Sequence, residues 1–144
     1  MSVYFFNEDY DYTLKHKTKL KLWVKGIIEG YKKKIGTINF IFTSNRKILE
    51  INQQFLNHDY FTDIITFNYN RNIILSGDIY ISLDTVSSNS DLYSVTFENE
   101  LYRVMAHGIL HLIGFNDKSD VEKKQMHNAE NRCLEDLHSK FNIK

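Results

Sequence analysis

HGILHLIGFND, residues 107–117, holds two histidines four positions apart inside an apolar helical stretch, so His107 and His111 share one helix face. Side chains at that spacing have Cβ atoms about 5–6 Å apart and both imidazoles can reach one cation. Gly114 can take the left-handed conformation that stops a helix and turns the chain back, which brings the carboxylate of Asp117 toward the same point. Two imidazoles and a carboxylate make three ligands and leave a fourth tetrahedral position open, the pattern of a catalytic zinc site. A histidine pair alone is more often explained by hydrogen bonding than by a metal. The pair, the helix-stopping glycine and the third ligand together favour a metal site at the end of a helix in the C-terminal half.

Outward from this stretch, strand and helix signals interleave. Val3 to Phe6 reads as a short strand, followed by a helix over about 13–34 with the apolar stripe Leu20, Trp23, Val24, Ile27, Ile28 and Tyr31. Alternation through Ile38, Phe40 and Phe42 predicts a strand, and Ser44 or Asn45 caps a helix to about Leu56 with Ile48, Leu49, Ile51, Asn52 and Phe55 at helical spacing. Strands follow at Ile64–Tyr69 and Gly77–Ser82 across a polar turn at 70–72, then a weak helix from Leu83. The histidine helix runs from about Thr96 to Gly114 and a last amphipathic helix over 119–140. The fold class is α+β, a single mixed sheet of about four strands packed with helices. The chain has no proline, repeat or low-complexity linker, so 1–144 reads as one domain.

The length of 144 residues suffices for a core without disulfides, and the one cysteine excludes an internal disulfide and favours a reducing compartment. Cys133 shares a helical stripe with Met126, Ala129, Leu137 and Phe141, which predicts a buried, inert thiol. No basic-then-apolar leader opens the chain and no apolar run is long enough for a bilayer, so a cytoplasmic protein without a membrane partner is expected. The zero net charge hides an asymmetry: residues 1–49 carry ten Lys and Arg against four Asp and Glu, and residues 50–144 eight against fourteen. Lys15, Lys17, Lys19, Lys21, Lys25 and the triplet Lys32, Lys33, Lys34 form either a phosphate-facing surface or the solvated side of an amphipathic helix, and taken alone the second reading is favoured.

Three ordered segments resemble the YbeY family of metal-dependent endoribonucleases of bacterial ribosomal RNA maturation. HGILHLIGFND is similar to the family's HGxLHLxGYDH, INQQFLNHDYFTDIITF from Ile51 to Phe67 to its LNxxYRxxDxPTNVLSF, and Gly77, Asp78, Ile79 with Ile81 to its GDIxI strand. The resemblance implies one zinc per chain held by His107, His111 and position 117, where the family commonly has histidine and this chain has Asp117. A carboxylate there lowers the charge at the metal by one and makes the site more hospitable to manganese. It further implies a single-strand-specific endoribonuclease of 16S ribosomal RNA maturation and ribosome quality control, with precursor RNA and the ribosome or its small subunit as partners. The metal would polarise the phosphodiester, with water or the substrate 2′-hydroxyl as nucleophile.

The chain departs from the family where its middle motif has arginine: Leu56 stands there and can neither bind nor neutralise a phosphate. The family's prolines fall on Phe61 and Asn68. Substitute cations are His58, Arg46, Arg71, Arg103 and Lys118, although Arg103 could simply pair with Glu100 on the helix surface. Asp59, Thr62, Asp63 and Asp78 match polar family positions and could orient a ligand histidine or cap a turn. His16, His58, His127 and His138 lack ligand spacing, and surface or packing roles are expected for them. Two rivals stand beside the nuclease. One is a noncatalytic ribosome-associated factor that keeps the metal for stability. The other is a metzincin-like metalloprotease, disfavoured because Gly108 replaces the glutamate such enzymes need after the first histidine.

Overall fold

Apolar alternation puts Ile38, Phe40 and Phe42 of β2 (Lys34–Thr43) and Leu75, Ile79 and Ile81 of β4 (Ile74–Ser82) on one face of a sheet, where they join the main core. In a computed structural model that describes residues 2–55 and 63–143, these strands lie at the centre of a four-stranded mixed sheet. Its order is β1 (Ser2–Asn7), β2, β4, β3 (Ile64–Asn68); β1 and β4 run parallel to β2, and β3 is antiparallel to β4. The architecture is α+β, as expected.

Among the described residues, five helices cover the sheet. On the main-core side lie α1 (Lys17–Gly30), α4 (Phe97–Ile113) and α5 (Asp120–Phe141), with α4 touching β3, β4 and both other helices. The Trp23 indole donates to the Cys133 carbonyl of α5 at 2.8 Å, so its one polar atom is satisfied while its ring is buried edge-on to Tyr102 of α4. On the other face, α2 (Asn45–Phe55) packs Ile48 and Ile51 on Ile65, with Phe67 and Tyr80 at the margin. The remaining helix, α3 (Leu83–Leu92), is capped by the Ser82 hydroxyl and packs against α4. Cys133 is buried, and burial pushes its thiol up to about 12, which fits the inert role expected of it.

The first helix is shorter than its periodicity predicts. His16 takes a left-handed conformation before it, and Lys32, at φ 64°, turns the chain after it. The Lys34 amide then donates to the Ile73 carbonyl and enters the sheet. Backbone pairing with β4 therefore outweighs helical propensity at 31–34, and the lysines expected on one helix face are spread over a loop, a helix, a turn and a strand. No helix among the described residues is long and apolar enough to cross a membrane.

Gly108 is where α4 comes closest to the sheet. A Cβ there would stand 2.9 Å from both Ile64 Cδ1 and Ile79 Cγ2. Gly108→Val is expected to destabilise the protein by about 1–3 kcal/mol through overpacking. Urea denaturation checks this, and an unchanged midpoint would show that α4 can lift off the sheet freely.

Candidate metal centre

Helix α4 starts where the Thr96 hydroxyl accepts from the Asn99 amide, and its buried side, including Leu101, Met105, Ile109 and Leu112, fixes its rotation. That rotation leaves His107 and His111 on a half-buried edge, with 20% and 29% side-chain exposure. The helix ends at Gly114, whose φ of 127° lets its own amide reach the Leu110 and His111 carbonyls and the Phe115 amide the Leu110 carbonyl. Asn70, in the β3–β4 turn, donates to the Leu112 carbonyl at 2.9 Å, and the Phe115 ring meets Tyr31 edge-on. The chain thereby folds back as its sequence implies, and Asp117 comes to the histidines.

Three ligand atoms converge. His107 Nε2 and His111 Nε2 are 2.9 Å apart, and Asp117 Oδ2 lies 3.3 Å from the first and 3.6 Å from the second. Ligand atoms about 2.0–2.1 Å from a tetrahedral zinc stand roughly 3.3 Å from one another, close to this triangle. The outer ring nitrogens decide the tautomers. His107 Nδ1 lies 2.6 Å from Glu130 Oε2 and His111 Nδ1 3.0 Å from the Phe115 carbonyl, and both partners are acceptors, so each Nδ1 carries the proton and donates it. In the neutral rings both Nε2 lone pairs then point at each other and at a carboxylate oxygen. Such a set is repulsive unless a positive charge lies among it, and a divalent cation suits it; the group His107, His111, Asp117 can hold a metal ion.

The surrounding charges reinforce this polarity. Burial opposes the charged form of His107, but the Glu130 hydrogen bond and the charges of Glu130, Asp63 and Asp117 raise its pKa overall, whereas burial and the neighbouring His107 lower that of His111.

Glu130 is the residue the sequence reading missed. It projects from α5 with 9% side-chain exposure, accepts the hydrogen bond from His107 Nδ1–H, and forms a 3.0 Å ion pair with Arg103, whose other nitrogen donates to Asn131 at 2.7 Å. A signal was present: Glu130 lies four residues after Met126 and three before Cys133, an acid inside an apolar helical stripe. Arg103 therefore does not pair with Glu100 on the helix surface; Glu100 is itself buried, at 5% exposure. Of the cations considered as substitutes for the family arginine, Arg103 reaches the site but is spent on Glu130, Arg46 lies on α2, Arg71 is in the turn before β4 and Lys118 follows Asp117.

Asp78 does not approach the histidines. Alternation on β4 turns it to the α2 side, where it accepts from Asn39 Nδ2 at 2.9 Å and from the Tyr69 hydroxyl at 3.3 Å. Asp63 does approach, in the wall of a cleft of about 560 Å³ that opens beside His107 and Glu130, and its burial raises its pKa. His127, expected to have only a surface or packing role, borders the same cleft. Leu56, His58, Asp59, Phe61 and Thr62 lie outside the described residues.

Residues 5–138 match the family model described as Endoribonuclease YbeY. A Parabacteroides distasonis protein of that name is 46% identical over 134 residues, covering 93% of this chain and 94% of that protein. A Flavobacterium psychrophilum protein of the same name is 44% identical over 137 residues, covering 95% and 98%. The solution structure of TM1509 from Thermotoga maritima superimposes with a TM-score of 0.66 at 28% identity, covering 97% of this chain and 91% of that one.

Proposed function

The chain belongs to the YbeY family of endoribonucleases, and from that premise we propose that it is a zinc-dependent, single-strand-specific endoribonuclease of 16S ribosomal RNA maturation and ribosome quality control. The observation that carries the metal-dependent part is the convergence of His107 Nε2, His111 Nε2 and Asp117 Oδ2 at the edge of an open cleft. The RNA substrate rests on kinship with proteins named Endoribonuclease YbeY, whereas the ribosome or its small subunit as partner and a cytoplasmic setting rest on the resemblance of its motifs to that family.

A divalent ion bound there supplies polarisation of the phosphodiester and a positive charge for the oxyanion that develops. The chain's own residues do the rest. Glu130 keeps the His107 proton on Nδ1 and so keeps its Nε2 free, the Phe115 carbonyl does the same for His111, and Asp117 adds a negative charge that two imidazoles lack. Exposed Lys15, Lys17, Lys19 and Lys25 offer phosphate contacts away from the centre. A peptidase reading fails for want of a base: the position after His107 is Gly108, and any side chain there would be driven into Ile64 and Ile79.

The test is cleavage of single-stranded RNA by metal-loaded and metal-stripped protein, each checked for folding. Cleavage that needs the metal supports the enzyme, and a folded, metal-loaded protein that cleaves nothing supports the noncatalytic ribosome-associated factor. Metal identity has its own prediction. Asp117→His leaves the helix stop untouched and should move selectivity toward zinc over manganese by about tenfold, since it exchanges a hard oxygen for an imidazole. Competition titrations of the two proteins measure it, and equal ratios would mean that position 117 is not a ligand.

A further inference from the structure

The cleft of about 560 Å³ beside the histidines has the size of a small-ligand site, but its lining among the described residues has the wrong charge for a phosphate. Asp63, Glu100 and Glu130 line it, and its guanidinium, Arg103, is already bound by Glu130 and Asn131. A neutral ligand rich in hydrogen-bond donors suits such a wall.

Glu100 is the group that such a ligand would satisfy. It is 5% exposed and its carboxyl has no hydrogen-bond partner among the described residues. No fully enclosed side-chain oxygen in the described structure lacks a partner, so the little exposure Glu100 keeps includes its carboxyl oxygens, and the opening it borders is the cleft. Burial pushes this carboxyl up to about 7, which is the cost of an acceptor left without donors. Tyr93, which follows α3 and is 60% exposed, lines the same cleft, and Val95 adds an apolar side chain to its wall. Asn89 and Asn99 add amide groups.

We propose that this cleft is a base-recognition subsite, resting on the ribonuclease reading above, in which Tyr93 stacks on the base of a nucleotide next to the scissile phosphate and Glu100 accepts hydrogen bonds from its Watson–Crick edge. The base is guanine. Its N1–H and N2–H₂ are adjacent donors that match the two oxygens of one carboxylate, whereas adenine and cytosine set one amino group beside an acceptor nitrogen and uracil one N–H between two carbonyls. His107 belongs both to the cleft wall and to the metal centre, so a phosphate at the metal has its neighbouring base at the cleft.

Titration of the full-length, metal-loaded protein with the 5′-monophosphates of guanosine, adenosine, cytidine and uridine, followed by NMR, tests this without requiring cleavage. Guanosine monophosphate should bind at least about tenfold more tightly than the others, the discrimination of one good bidentate pair. Glu100→Gln should cut that preference to about twofold or less, and Tyr93→Ala should weaken every nucleotide by roughly fivefold or more while Tyr93→Phe does not. Tyr93 is a surface residue, so its variants decide the matter even if Glu100→Gln folds poorly. Equal affinity for the four nucleotides, or full binding by Tyr93→Ala, overturns the proposal. RNA cleavage measured on the same samples separates the two readings: base-selective binding without cleavage removes the nuclease and leaves the pocket, and cleavage with indifferent binding does the reverse.

Discussion

Replacing His107 and His111 together by alanine is expected to reduce bound divalent metal from about one equivalent per chain to under a tenth, because one carboxylate remains where three ligands converged. RNA cleavage should fall by about a thousandfold or more, since the several kcal/mol of charge stabilisation that a metal supplies to a phosphodiester would be lost with it. The fold should survive. Both rings lie on the half-exposed edge of α4, while Leu101, Met105, Ile109 and Leu112 on its buried side hold the core. Elemental analysis beside circular dichroism makes the measurement, and unchanged occupancy in a folded double variant would place the metal elsewhere.

Glu130→Gln is expected to weaken metal binding by about 10–100-fold, the usual effect of losing the partner that orients a ligand histidine. Glutamine keeps the volume of the glutamate but removes the charge that draws the Nδ1 proton of His107, and so loosens the tautomer that leaves Nε2 free. It also removes the ion partner of Arg103, which is 24% exposed, so some loss of stability will accompany the change. Competition with a chromophoric chelator separates the two effects, because affinity is read on the folded protein. Affinity equal to that of the wild type would mean that Glu130 serves only to hold Arg103.

These two expectations differ in where they could have been found. Histidine spacing, the stop at Gly114 and the return to Asp117 are relations within eleven consecutive residues, and such residues meet in almost any fold that contains the helix. Strand positions were legible for the same reason, since alternation at 38–42 and 77–82 and the polar turn at 70–72 are local patterns. The limits of α1 were less legible: periodicity extends through Tyr31, but Lys34 pairs with Ile74 of a strand some forty residues away.

The partners of the site lay beyond local reach altogether. Arg103 has Glu100 one turn before it, a spacing that suggests a surface pair, yet the packing of α4 on the sheet buries Glu100 and presents Arg103 to α5. Asp78 lies in a motif segment, yet the two-residue period of β4 turns it to the opposite face from the histidines. The sequence by itself determined the three candidate ligands and the class of fold, because both follow from periodicities of one turn or one pleat. Only the tertiary structure decided that Glu130 stands 2.6 Å from His107, that Arg103 is spent on it and that Glu100 borders the cleft. Those contacts depend on how α4 is rotated against β3, β4 and α5, and that rotation is set by the summed burial of side chains distant in the chain.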